Sequence, residues 1–148
     1  MGEADRIVEA REQERHSAAA RRKALETRSA LERKESLVRS VADEIPGALE
    51  RLERAGFPGG QMVAARQRGR FGRTRVARCA GWRVHSWTYI AEPSGRGEHE
   101  AHNTVWLLSG GTLAIGDEPL APFDLEWFAE HDAALCREVL GGLQSLGV

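Results

Sequence analysis

Gly56-Phe57-Pro58-Gly59-Gly60 decides the reading of this chain, because the residues on its two sides follow different periods. From about Ala4 to Asp43 there is neither proline nor glycine, and strong helix formers such as Ala, Glu, Arg, Leu and Gln dominate. Beyond residue 60, short segments punctuated by glycine take over. Gly56 suits the left-handed position that closes a helix, Phe57 can cover Leu52 or a neighbour, and Pro58 prevents continuation. The expectation is a helical arm over residues 1–56 and an α+β body over residues 57–148.

Working upstream, Arg22 with Glu26, Arg28 with Glu32, Glu35 with Arg39 and Arg39 with Asp43 stand at i,i+4. Each such pair adds a few tenths of a kcal/mol to an exposed helix. A helix of about 40 residues is about 60 Å long, yet between residues 9 and 36 the only large apolar side chains are Leu25 and Leu31. That is too little to bury the stretch in a globular core, so it stands alone or pairs with another helix. Ala10, Ser17, Ala24, Leu31, Val38 and Ile45 recur every seven residues, with Ala20 and Val41 at complementary positions. Gln13, Thr27 and Lys34 interrupt the second row, which leaves a weak, small-residue coiled-coil seam. A clear apolar stripe appears only at Val38, Val41, Ile45, Leu49 and Leu52. Pro46 within it either opens a second short helix or kinks a continuous one.

Working downstream, Gln61 to Arg68, Arg73 to Cys79, Trp82 to Ala91, Thr104 to Ser109 and Thr112 to Ile115 read as strands. The last two join through Ser109-Gly110-Gly111 as a tight hairpin, and their near-continuous apolar character predicts a central position. Residues 92–103 read as a polar loop and residues 117–123 as a connection. Asp124 caps a final helix whose stripe, Leu125, Phe128, Leu135, Val139, Leu143 and Leu146, is expected to pack on the sheet, forming one core with Trp106 and Leu108. The predicted architecture is a long N-terminal helix, a short helix, an antiparallel meander of four or five strands, and a C-terminal helix.

The 148 residues carry 21 basic and 22 acidic side chains, and 41% are hydrophobic, so a folded core is expected. The charge is unevenly spread: residues 1–44 are neutral, residues 45–90 carry +7 and residues 91–148 carry −8. Such polarity implies internal pairing of the two regions or a charged partner. No apolar run is long enough to cross a bilayer, no secretory pattern opens the chain, and Arg6 stands where a myristoylation motif needs Ser or Thr. A cytoplasmic protein with no membrane contact is expected, with Cys79 and Cys136 as reduced thiols.

Signals for catalysis are weak. There is no GxSxG elbow, no GxxxxGK[ST] phosphate cradle, and Gly95-Arg96-Gly97 does not extend to a GxGxxG turn. His99 and His102 form an HxxH spacing rather than the HExxH of a helical zinc site, and solvated histidines in a polar loop are the plainer reading. No enzyme activity, metal or cofactor is expected.

What remains is basic. Arg66, Arg68, Arg70, Arg73, Arg75, Arg78 and Arg83 fall within 18 residues that contain no acid, with Phe71 among them. Strict alternation places Arg83, His85, Trp87 and Tyr89 on one strand face, opposite Trp82, Val84, Ser86, Thr88 and Ile90. These eleven basic and aromatic residues are the candidate contact surface. Arginines near a sheet edge also discourage aggregation, and the acidic C-terminal third offers internal countercharge. The expected function is a non-enzymatic oligomeric interaction or adaptor module. It assembles through its N-terminal helix and presents this surface to a protein partner or another copy. The alternative is a nucleic-acid-binding protein using the Arg66 to Arg83 region.

Overall fold

The structure, a computed structural model, describes residues 2–92 and 97–148, and the side chain of Arg70 also lies outside the description. Its elements are α1 (Glu3–Arg54), β1 (Gln61–Arg68), β2 (Thr74–Ala91), β3 (His99–Leu108), β4 (Leu113–Ile115), β5 (Ala121–Pro122), α2 (Leu125–His131) and α3 (Ala133–Ser145). The α+β class and the order of helix, antiparallel sheet and C-terminal helix are as the sequence implies. No helix among the described residues is long and apolar enough to cross a membrane.

The chain divides into two compact units, residues 1–36 and 37–148. Within the first, Arg28 pairs with Glu32 at 3.3 Å, and Ile7, Val8, Leu25 and Leu31 are all exposed. The second begins inside α1, because Leu37, Val38, Val41, Ile45, Ala48, Leu49 and Leu52 pack into the core of the body. The division therefore falls about twenty residues before the Gly56 turn. Pro46 lies within α1, so the short helix expected after it is the last part of α1 itself. Gly56, at φ 80°, and Phe57 close α1 as expected: Gly56 N–H donates to Glu53 O and Phe57 N–H to Leu52 O.

The five strands lie in the order β1-β2-β3-β4-β5, all antiparallel. β2 serves two partners: its first half pairs with β1 and its second half with β3, and Gly81 is paired with both Gln61 and Leu108. A Cβ on Gly81 would stand 3.0 Å from Val63 Cγ2 and 3.3 Å from Leu108 Cδ2, so this corner is packed around a missing side chain. The sheet then closes on itself. Leu120 N–H donates to Ala64 O and Arg66 N–H to Leu120 O, both at 2.8 Å, joining the far end of the meander to β1.

Closure creates two apolar layers instead of one. Val63, Ala65, Trp106, Leu108, Ala114 and Leu120 are enclosed by the curled sheet. On the opposite face Trp82, Val84, Val105, Leu107 and Leu113 lie beneath the end of α1 and beneath Leu135, Cys136, Val139 and Leu143 of α3. Leu135 and Val139 thus share one core with Val105, Leu107 and Leu113 of the hairpin, but not with Trp106 and Leu108, which alternation sends to the other layer.

The expected C-terminal helix is two helices. Asp124 caps α2 by accepting from Trp127 N–H, and Asp132, which ends α2, caps α3 by accepting from Leu135 N–H. Arg51 of α1 fastens the far end of α3: its Nε donates to Leu146 O at 3.0 Å and its Nη2 to Leu143 O at 2.8 Å, while Glu44 pairs with it at 3.0 Å. Leu143 O also accepts from Leu146 N–H at 3.2 Å, and a cation is favoured at that end of the helix dipole.

α3 crosses the sheet at very close range at Gly142, where a Cβ would collide with the Val84 carbonyl oxygen and carbon. Its neighbour Gly141 has nothing within 4 Å of the same position. The two adjacent glycines should therefore respond in opposite senses. Gly141→Ala should stabilise by up to about 1 kcal/mol through helix propensity, whereas Gly142→Ala should cost about 1–3 kcal/mol by forcing α3 off the sheet. Urea denaturation of the two variants checks this, and equal effects would mean that α3 does not approach Val84 so closely.

Candidate functional site

The candidate site is the ribbon formed where β1 and β2 run beyond the enclosed core. Ala65 is the last residue of β1 with its side chain in the inner layer. Past it, Arg66 pairs with Val76, Gln67 with Arg75, and Arg68 with Thr74. Gly69 N–H donates to Arg73 O at 2.7 Å to close the loop. Gly69 is required there, since a Cβ would sit 2.9 Å from that same carbonyl oxygen.

The register decides which arginines act together. Arg66 and Arg68 share a face with Val76 and Arg78, because Arg78 pairs with Ala64 and Val76 with Arg66. Arg75, opposite Gln67, stands on the other face, and Arg73 is at the loop. All five are exposed, and among the described residues none of them takes part in an ion pair. Among the described residues, these five arginines therefore do not use the countercharge offered by the acidic C-terminal third. Arg70 belongs to the loop, but its side chain lies outside the described residues.

Phe71 occupies the loop tip. It is 98% exposed, and its φ of 67° puts a bulky residue in left-handed backbone, a conformation that costs of order 1–3 kcal/mol. At the base of the ribbon, a recess of about 330 Å³ is bordered by Arg66, Gln67, Arg68, Thr112 and Pro122. Val76, 57% exposed between the arginines, belongs to the same surface and was not marked by charge or aromaticity.

The rest of the expected surface is elsewhere. Strict alternation along β2 fails at a bulge between Arg83 and His85. Arg83 pairs with Trp106 and His85 with Val105, which places Arg83 and His85 on opposite faces. The Arg83 guanidinium stands over the Trp106 ring at 5.4 Å. His85 and Trp87 stack at 5.6 Å on the helix-covered face, where Trp87 packs against the core and Tyr89 continues the row outward. The eleven candidates therefore form a basic ribbon, a separate aromatic row, and Arg83 on its own.

His99 and His102 also part company. They lie in β3 rather than in a loop, three residues apart on a strand, so they face opposite sides of the second ribbon, where His99 pairs with Ala91 and His102 with Thr88. Of the loop expected over residues 92–103, residues 93–96 lie outside the described residues, and Gly95-Arg96 with them. Among the described residues no group of three His, Cys, Asp or Glu side chains is placed to hold a metal ion.

A second concavity, about 390 Å³, is lined by Phe57, Gln61, Met62, Ala80, Trp82 and Ser109. It is an open apolar groove at the foot of β1. Phe57, expected to lie over Leu52 or a neighbour, approaches Trp82 with ring centroids 5.8 Å apart. The Trp82 indole N–H is buried and has no acceptor among the described residues.

No protein-family model, curated protein sequence or solved structure matches the chain. Its chemistry is therefore read from its own residues.

Of the two thiols, Cys136 is fully buried. Burial, reinforced by the Asp132 carboxylate and opposed by Arg137, pushes it up from 9.0 to about 11. A thiol held protonated is in the wrong state for nucleophilic attack. The folded protein holds this proton more tightly than the unfolded chain does, so the associated stability is present below pH 9 and lost as pH rises towards 11. Parent protein should accordingly lose more stability than Cys136→Ala between pH 8.5 and pH 11, read as unfolding midpoints in denaturant. An identical pH response in both proteins would contradict the burial of this thiol.

Proposed function

We propose that this protein is a non-enzymatic docking module whose β1–β2 ribbon binds an anionic macromolecular partner. The observation that carries the reading is the set of exposed arginines, Arg66, Arg68, Arg73, Arg75 and Arg78, without an ion pair among the described residues, on one short ribbon. Unpaired arginines held close together repel one another, and a polyanion relieves that repulsion while releasing its own counterions. An edge-protecting role alone does not account for Arg66, Arg68 and Arg78 on one face beside an exposed Val76.

The cheapest test uses polyphosphate as a featureless polyanion. Binding should weaken steeply with salt, and Arg66→Ala, Arg68→Ala and Arg78→Ala together should reduce the magnitude of the slope of log K against log salt by about 2. The body should remain as stable as the parent, because these side chains lie outside both apolar layers. A salt-independent or absent interaction at low ionic strength would remove the reading.

We further propose that residues 3–36 assemble the protein into a homo-oligomer in the cytoplasm. Support comes from the exposure of Ile7, Val8, Leu25 and Leu31 on this one helix. The seam is shorter than the heptad count implied, since Val38, Val41 and Ile45 are taken up by the core of the body. Residues 37–148 should then be monomeric, and the full chain larger than a monomer, by light scattering. A monomeric full-length chain at high concentration would count against assembly while leaving the ribbon's role untouched.

A further inference from the structure

The ribbon carries one residue for which the fold has no use. The Phe71 ring is 98% exposed, it makes no ring contact among the described residues, and its backbone is held left-handed between Gly69 and Gly72. A glycine would adopt that backbone without strain.

We propose that the anionic partner is a single-stranded nucleic acid, with Phe71 stacking on a base while Arg68 and Arg66 follow the phosphates towards the base of the ribbon. This rests on the docking reading above and names its partner. Arg66 and Arg68 lie two residues apart on one strand, about 6.6 Å along it, a spacing comparable to that of successive phosphates in an extended strand. The recess at the base of the ribbon is bordered by Gln67, on the opposite face of β1 from the two arginine side chains, and by Thr112, which offer hydrogen-bonding groups to the edge of a base that passes over the strand, with Pro122 as an apolar wall. No carboxylate lies in the sequence between Glu53 and Glu92 to repel the backbone.

A duplex fits less well. Its base faces are already stacked, so a phenyl ring reaches one only by opening a step. The ribbon also extends only three residue pairs past Ala65, too short to follow a groove. An acidic peptide would satisfy the arginines but gives an isolated, fully exposed ring no flat π-face to lie on.

The test compares a labelled oligothymidylate of about twelve nucleotides with an abasic strand of the same length, the corresponding duplex, and polyphosphate, by fluorescence anisotropy on the full-length protein. Phe71→Ala and Phe71→Gly should each weaken oligothymidylate binding by about fivefold to a hundredfold and leave the abasic strand and polyphosphate unchanged. Both variants should keep the parent's unfolding midpoint or exceed it, because no packing is removed. Equal affinity of the parent for oligothymidylate and the abasic strand, unchanged oligothymidylate binding by both variants, or a preference for duplex would each overturn the proposal while the docking reading stands. Failure to bind any of the four, polyphosphate included, would overturn both.

Discussion

Closure of the sheet at Leu120 is the constraint on which the rest of the body depends. A sheet with apolar side chains on both faces needs both faces covered, and the helices cover only one. By donating to Ala64 and accepting from Arg66, Leu120 bends the meander round until the second face covers itself. The two hydrogen bonds contribute about 1 kcal/mol each, whereas full burial of a single Leu or Val contributes about 1.5–3 kcal/mol. The enclosed cluster therefore supplies most of the energy. The hydrogen bonds supply register, which decides that Val63 and Ala65 point inward and Ala64 and Arg66 outward.

The outer layer obeys a different logic, that of close approach. Gly142 lets α3 lie directly on the Val84 backbone, at the bulge where β2 changes phase. Arg51 then ties the end of α3 to α1 through two carbonyls, with Glu44 compensating its charge. A lysine there offers a point charge rather than a planar fork, so it cannot reproduce the same spread of donors.

Much of this was legible locally. β1 was readable to its ends, because Gly60 and Gly69 bracket it; the Ser109 to Gly111 turn, the Asp124 cap and the Gly56 stop all rest on a few neighbouring residues. What depended on pairing was not legible. The bulge at Val84 has no marker in β2 itself, since it arises from how β2 meets β3, and it undid the alternation that had grouped Arg83 with His85 and Trp87. His99 to Asn103 looked like a loop because the sequence there is polar, but a largely exposed two-stranded ribbon needs few apolar residues of its own. β5 is two residues long, below any period a sequence can show. At the candidate site the density of arginine was plain, but that Arg66, Arg68 and Arg78 share a face while Arg75 does not follows only from the register.

The position of Ala65, the last β1 side chain inside the curl, has a consequence for how such a chain diversifies. Residues inward of it are constrained by two packed layers and Arg66 N–H is held by Leu120 O, whereas those from Gln67 to Arg75 answer only to the ribbon's own hydrogen bonds. Adding one residue to each strand there would invert the outward-facing set, and adding two would lengthen it, without disturbing a buried atom. The contact surface can drift while the scaffold stays still, so relatives of this protein could share its body and differ entirely in what the ribbon displays.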